Sequence, residues 1–184
     1  MITLKIKDIE KLKKKIGKNN LLIVCGLCPY WNFSVDEIDN LAKRLDAEIL
    51  KLPAICNRPE IDIKNLNDYD NILVFSCGAG IQIVAETIDM EVIPVVDTTG
   101  IGAKLKDNVE IYCKACGNCI LDLTAGICPI ARCPKSLYNG PCGGVQDGNC
   151  ELGDRKCVWV LIFERMKKFN QLDDFIKVRI PEMR

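Results

Sequence analysis

The chain has 184 residues, 48% of them apolar and 27% charged, enough for one sizeable domain or two small ones without covalent staples. Its 25 basic and 25 acidic residues cancel, so no global field favours nucleic acid or an anionic membrane. No apolar run reaches the roughly 18 residues that a bilayer-spanning helix needs.

Residues 1–20 have neither a continuous apolar core nor a small-residue cleavage site, so no secretion signal is expected. Ile6, Ile9, Leu12 and Ile16 fit one face of a short docking helix, with a membrane-surface helix as the alternative. From there to residue 106 strand and helix signals alternate. Leu21–Cys25 reads as a buried strand, and Ser34 with Glu37 forms a capping box opening a helix to about Leu45. Glu48–Leu52 and Asn71–Ser76 are further strands, Gly80–Ile88 a helix, and Glu91–Asp97 a fourth strand. This alternation predicts an α/β fold: a small, mostly parallel sheet with flanking helices. Residues 1–106 are expected to form that domain, with a cluster site of its own.

Residues 107–184 differ in character. Between Tyr112 and Cys157 lie eight cysteines, seven glycines and three prolines with almost no apolar periodicity. Such a segment needs something in place of a core. A C-terminal helix follows over Val158–Phe169, with Val158, Trp159, Ile162, Phe163, Met166 and Phe169 as its apolar stripe. The helix is expected to pack on the α/β domain or on the cysteine-rich segment.

Twelve cysteines and no histidine bound the chemistry. Without a secretion signal the expected compartment is the cytoplasm, where disulfides are rare and cysteine clusters serve metal binding or redox. The absence of histidine removes Ser-His-Asp and Cys-His nucleophile pairs and His-ligated zinc hydrolases. Cys113-x2-Cys116-x2-Cys119 is the sharpest motif: three thiolates folded about one iron–sulfur centre, with Gly117 allowing the tight turn. Cys128 precedes Pro129 as in a bacterial ferredoxin, although the gap before it is longer. A zinc knuckle is the alternative. Cys133, Cys142, Cys150 and Cys157 bring the total to eight, enough for two four-cysteine sites whose membership spacing does not settle.

In the first half Cys25, Cys28, Cys56 and Cys77 all fall at or just beyond strand ends. A parallel sheet would aim them at one edge, predicting a third cluster. The competing reading makes Cys25 and Cys28 a thioredoxin-like redox pair. A G-x-G at Gly78 and Gly80 lacks the third glycine of a dinucleotide fingerprint, Ile83 standing there, and a tight turn placing Cys77 explains it as well.

The phrases Cys113-x2-Cys116-x2-Cys119, Ile120 through Cys128-Pro129, Ala131 through Pro134, Asn139-Gly-Pro-Cys142-Gly-Gly144, Gly148-Asn-Cys150 and Cys157 through Ile162 together resemble the methylenetetrahydrofolate reductase C-terminal family. Val24-Cys25-Gly-Leu-Cys28 and Ser76-Cys77-Gly-Ala-Gly80 extend the resemblance to the first half. It implies an iron–sulfur electron-transfer subunit, not a catalyst. Such a subunit would relay electrons from other iron–sulfur electron-donor subunits to a MetF-like flavoprotein reductase in one-carbon metabolism. The expected load is two to three four-iron, four-sulfide clusters on the twelve cysteines, with one zinc as a substitute for a cluster. The alternatives are a zinc-stabilised scaffold and a thiol–disulfide oxidoreductase using Cys25 and Cys28.

Overall fold

A computed structural model describes residues 1–57, 63, 65–105 and 108–181. The chain divides into two units, Met1–Val109 and Glu110–Arg184. The boundary expected between residues 106 and 107 falls outside the described residues.

The first unit begins with strand β1 (Ile2–Ile6) and a short helix α1 (Ile9–Lys13) capped by Asp8, whose carboxylate accepts from the Glu10 and Lys11 amides. Then come β2 (Asn20–Cys25), α2 (Val35–Arg44), β3 (Ala47–Leu52), β4 (Asn71–Phe75), α3 (Gly78–Thr87), β5 (Val92–Pro94) and β6 (Val96–Leu105). Four of the strands form a sheet of order β3–β2–β4–β5, parallel at every pairing. This is the expected α/β architecture with its small parallel sheet and flanking helices.

Both faces of that sheet are covered, which is why its central strands read as unbroken apolar runs. Leu22, Val24, Leu73 and Phe75 pack on one side with Ile38, Leu41 and Leu45 of the α2 region. Leu21, Ile23, Ile72 and Val74 pack on the other with Val84, Ile88 and Ile55. Helix α2 starts where the capping box places it. The Glu37 amide donates to the Ser34 hydroxyl and the Ser34 amide donates to the Glu37 carboxylate.

Two expectations are corrected. Ile6 and Ile9 do not share one helix: the chain is extended through Ile6, and β1 pairs antiparallel with β6. Thr3 and Leu4 are both buried there, with a bulge between them that lets adjacent residues face inward. The fourth strand also does not run through Glu91–Asp97. It stops at Pro94, and Val96 begins a ten-residue strand in a second sheet, of order β1–β6–β7. Strand β7 is Asn108–Cys113.

The second unit is irregular, as its glycines and cysteines imply. It holds a single-turn helix α4 (Pro129–Arg132), the C-terminal helix α5 (Val158–Lys168) and a short α6 (Leu172–Phe175). Its core is Cys157, Val158, Trp159, Ile162 and Met166, packed against Ala125, Ile127, Cys133, Leu137 and Val145 of the cysteine-rich segment. The expected stripe is one row too wide, because Phe163 and Phe169 are 41% and 49% exposed. Among the described residues no helix is long and apolar enough to cross a membrane.

Candidate metal centres

In the order β3–β2–β4–β5, the chain leaves β2 to one side for β3 and then crosses to the other side for β4. The carboxyl ends of β2 and β4 therefore flank a topological switch point, where open α/β sheets hold their ligands. Cys25 ends β2, and Cys77 is the N-cap of α3 directly after β4; both are buried. Cys28 opens a 3-10 turn just past β2 and is half-buried, while Cys56 lies exposed in a second such turn beyond β3. The Cys28 thiol is pushed above its usual range, first by burial and then by the neighbouring thiols of Cys77, Cys25 and Cys56. The thiols of Cys25, Cys56 and Cys77, from three strand ends, are thus each within electrostatic reach of Cys28.

The backbone is shaped for this closeness. The Gly26 amide donates to the Leu52 carbonyl at 2.7 Å, and a Cβ on Gly26 would press on Leu52 and Pro53 at 3.3 Å. That draws the Cys25–Cys28 loop against the end of β3. A Cβ on Gly80 would collide with the Ser76 hydroxyl. Glycine there lets α3 start immediately after Cys77, which accounts for the G-x-G without a nucleotide. The Gly78 amide is taken by the Thr98 hydroxyl at 2.8 Å. Asn32 donates from one amide nitrogen to the carbonyls of Ile2 and Cys28. Gly80→Ala is expected to destabilise the protein by about 1–3 kcal/mol, as overpacking does. Adding Ser76→Ala should restore most of that in urea denaturation; equal midpoints for wild type and Gly80→Ala would contradict this packing.

The second unit brings its cysteines together differently. Cys133, Cys142, Cys150 and Cys157 line one small cavity, with Lys135, Glu151 and Trp159 in its wall. Cys133 is the C-cap of α4 and Cys157 the N-cap of α5, so helix ends set two of the four. The turns between the others depend on left-handed backbone at Ser136, Asp147 and Gly148. Lys135 lies 3.6 Å from the Cys142 sulfur and also pairs with Glu151, whose carboxylate is 3.7 Å from that sulfur.

Cys113 ends β7, Cys116 and Cys119 follow on an exposed loop, and Cys128 is the N-cap of α4. Ala115 and Gly117 take φ of 51° and 70°, giving the turn expected at Gly117. The Ala115 amide donates to the Cys113 sulfur at 3.3 Å, and the Leu152 amide to the Cys150 sulfur at 3.4 Å. Between Cys116 and Cys119 the Asn118 side-chain nitrogen is buried with no acceptor among the described residues. Amides aimed at sulfur, and a buried unpartnered donor on the residue between two cysteines, suit a thiolate metal centre.

Among the described residues, no three His, Cys, Asp or Glu side chains close around a single point as a metal's ligand shell. Cys133, Cys142, Cys150 and Cys157 share the wall of one cavity, and Cys28 lies in reach of three other thiols. Their donor chemistry is nearly pure sulfur, with Glu151 beside Cys142 as the exception.

A protein-family model described as methylene-tetrahydrofolate reductase C terminal matches residues 93–183. The match covers just under half of the chain. No curated protein and no solved structure matches the chain. The matched segment contains all eight cysteines from Cys113 to Cys157. Cys25, Cys28, Cys56 and Cys77 precede it and stand on the sheet geometry alone. Lys135, Glu151, Thr98 and Asn32 were not visible as site residues in the sequence. No local spacing links Lys135 or Glu151 to Cys142, because the chain between them is turns.

Proposed function

We propose that this chain is an iron–sulfur electron-transfer subunit that serves a methylene-tetrahydrofolate reductase partner, a MetF-like flavoprotein, in the cytoplasm. The observation that supports the reading is the placement of Cys25, Cys28, Cys56 and Cys77 at or just beyond the carboxyl ends of the strands of a parallel sheet, beside its switch point. Those four would hold one cluster. Cys113, Cys116, Cys119 and Cys128 would hold a second, on the strength of their motif and of the amide and Asn118 donors among them. When bound, such clusters supply one-electron transfer at potentials set by burial and by hydrogen bonds to sulfur. The residues' own part is to offer thiolates, to aim amides at sulfur, and to bury Cys25 and Cys77 at the sheet edge.

Cys133, Cys142, Cys150 and Cys157 would hold a third cluster or a zinc ion. Zinc is favoured at this set by its place in the core, where Cys157 packs with Trp159 and Ile162, since a closed four-sulfur site stabilises a fold. A thiol–disulfide role for Cys25 and Cys28 fits poorly. An attacking thiol is exposed and held low, whereas Cys25 is 2% exposed and Cys28 is pushed up.

The test adds anaerobically reduced protein to a methylene-tetrahydrofolate reductase flavoprotein and follows flavin absorbance. Flavin should bleach while the chain is oxidised. Unchanged flavin beside a chain that remains reduced would sink the partner assignment.

A further inference from the structure

The net charge of zero hides a strong segregation within the first unit. Residues 1–18 carry seven lysines against Asp8 and Glu10, whereas residues 19–109 carry seven basic and fourteen acidic residues. Folding gathers the lysines. Lys5, Lys7, Lys11 and Lys15 line one open cleft between β1 and α1, floored by Leu12, Ile93 and Pro94. Two carboxylates temper it, as Lys7 pairs with Asp97 at 3.1 Å and Lys11 with Asp8 at 4.0 Å. Lys5, Lys14 and Lys15 form no ion pair among the described residues. The cleft is therefore a local positive surface on an otherwise acidic unit, and fields of this kind orient and speed association with an oppositely charged protein.

The position of the cleft matters as much as its sign. The same strand that carries Lys5 ends at Ile2, whose backbone amide points at the Cys28 thiol. Asn32 ties Ile2 to the Cys28 backbone as well. Three residue steps of extended strand lead from Ile2 to Lys5, about 10 Å. A protein held by the lysines would lie alongside the four-thiol edge.

We propose that the lysine cleft of β1 and α1 is the docking surface for a small acidic electron-carrier protein, placed to exchange electrons beside Cys25, Cys28, Cys56 and Cys77. This rests on the electron-transfer reading above and names its partner. One electron would leave the reduced carrier, which is oxidised, and reduce the centre the four thiols hold; no atom is transferred. An anionic lipid surface would also be drawn to lysines, but the seat beside buried thiols favours a redox protein.

The experiment uses native, anaerobically purified protein and a plant-type two-iron ferredoxin as the acidic probe, with calorimetry to measure Kd. Affinity should fall at least about tenfold between low and 0.5 M salt. The triple variant Lys5→Glu, Lys11→Glu, Lys15→Glu should weaken binding by at least about tenfold at low salt. A triple Lys→Gln variant should lie between, and Lys43→Glu on α2 should match wild type. Absence of ferredoxin binding at low salt, or binding indifferent to salt and to the cleft charges, overturns the proposal. So does a ferredoxin Kd unchanged in the triple variant while retention on phosphatidylserine vesicles is lost, which would assign the lysines to lipid. Dithionite bleaching of the same samples is read separately. If wild type does not bleach, the electron-transfer reading fails whatever the ferredoxin Kd.

Discussion

Replacing Cys77 with alanine should remove about four irons per chain, with matching sulfide, and leave the metal of the second unit in place. Cys77 is the N-cap of α3 at the end of a central strand, and its thiol is a principal neighbour of Cys28. If the four thiols hold one cluster, removing one ligand should leave it labile and lost on isolation. Cys28→Ala and Cys25→Ala should then show the same loss. The competing possibilities separate cleanly. A merely buried thiol would cost some stability and no iron. A redox pair would make Cys25→Ala abolish turnover with metal content unchanged. Wild-type iron in Cys77→Ala would dissolve the first-unit site and leave only the reductase C-terminal segment as a metal binder.

The second large effect concerns metal removal. The parallel sheet of the first unit has two apolar cores of its own, so it needs no metal to hold its shape. The second unit has one small core around Trp159, and much of its remaining chain between Glu110 and Cys157 is turns. Metal–thiolate bonds supply folding free energy on the order of 10 kcal/mol per structural site. Chelation, or oxygen followed by chelation, should therefore release residues 110–157 to fast amide exchange while β2 and β4 stay protected. Limited proteolysis should cut the same segment first. Equal loss of protection in both units would show that the cysteines of the second unit are not its scaffold.

What the sequence disclosed follows from how local each signal is. Ser34 and Glu37 announce α2 because both hydrogen bonds of a capping box lie within one turn. Leu21–Cys25 and Asn71–Phe75 announce buried strands because a sheet covered on both faces needs apolar residues at every position. The sheet edge was readable too, since cysteines at strand ends must share one side in a parallel sheet. Strand β6 was not readable as a whole. Its residues Thr98, Thr99, Gly100 and Gly102 carry little burial, and its partner β1 lies almost 100 residues away. The N-terminal strand was obscured because Ile6, Ile9, Leu12 and Ile16 happen to match a helical repeat. The grouping of Cys133, Cys142, Cys150 and Cys157 depends on left-handed turns at Ser136, Asp147 and Gly148, and sequence spacing carries no record of those angles.

The most direct measurement is iron, acid-labile sulfide and zinc per chain on anaerobically purified native protein, with an EPR spectrum after reduction. An electron-transfer subunit predicts about eight to twelve irons, the content of two or three four-iron clusters, with equal sulfide and a reduced-cluster signal. If the irons number about eight, one zinc should accompany them. Zinc with little iron and no EPR signal would contradict the account and make the twelve cysteines a scaffold.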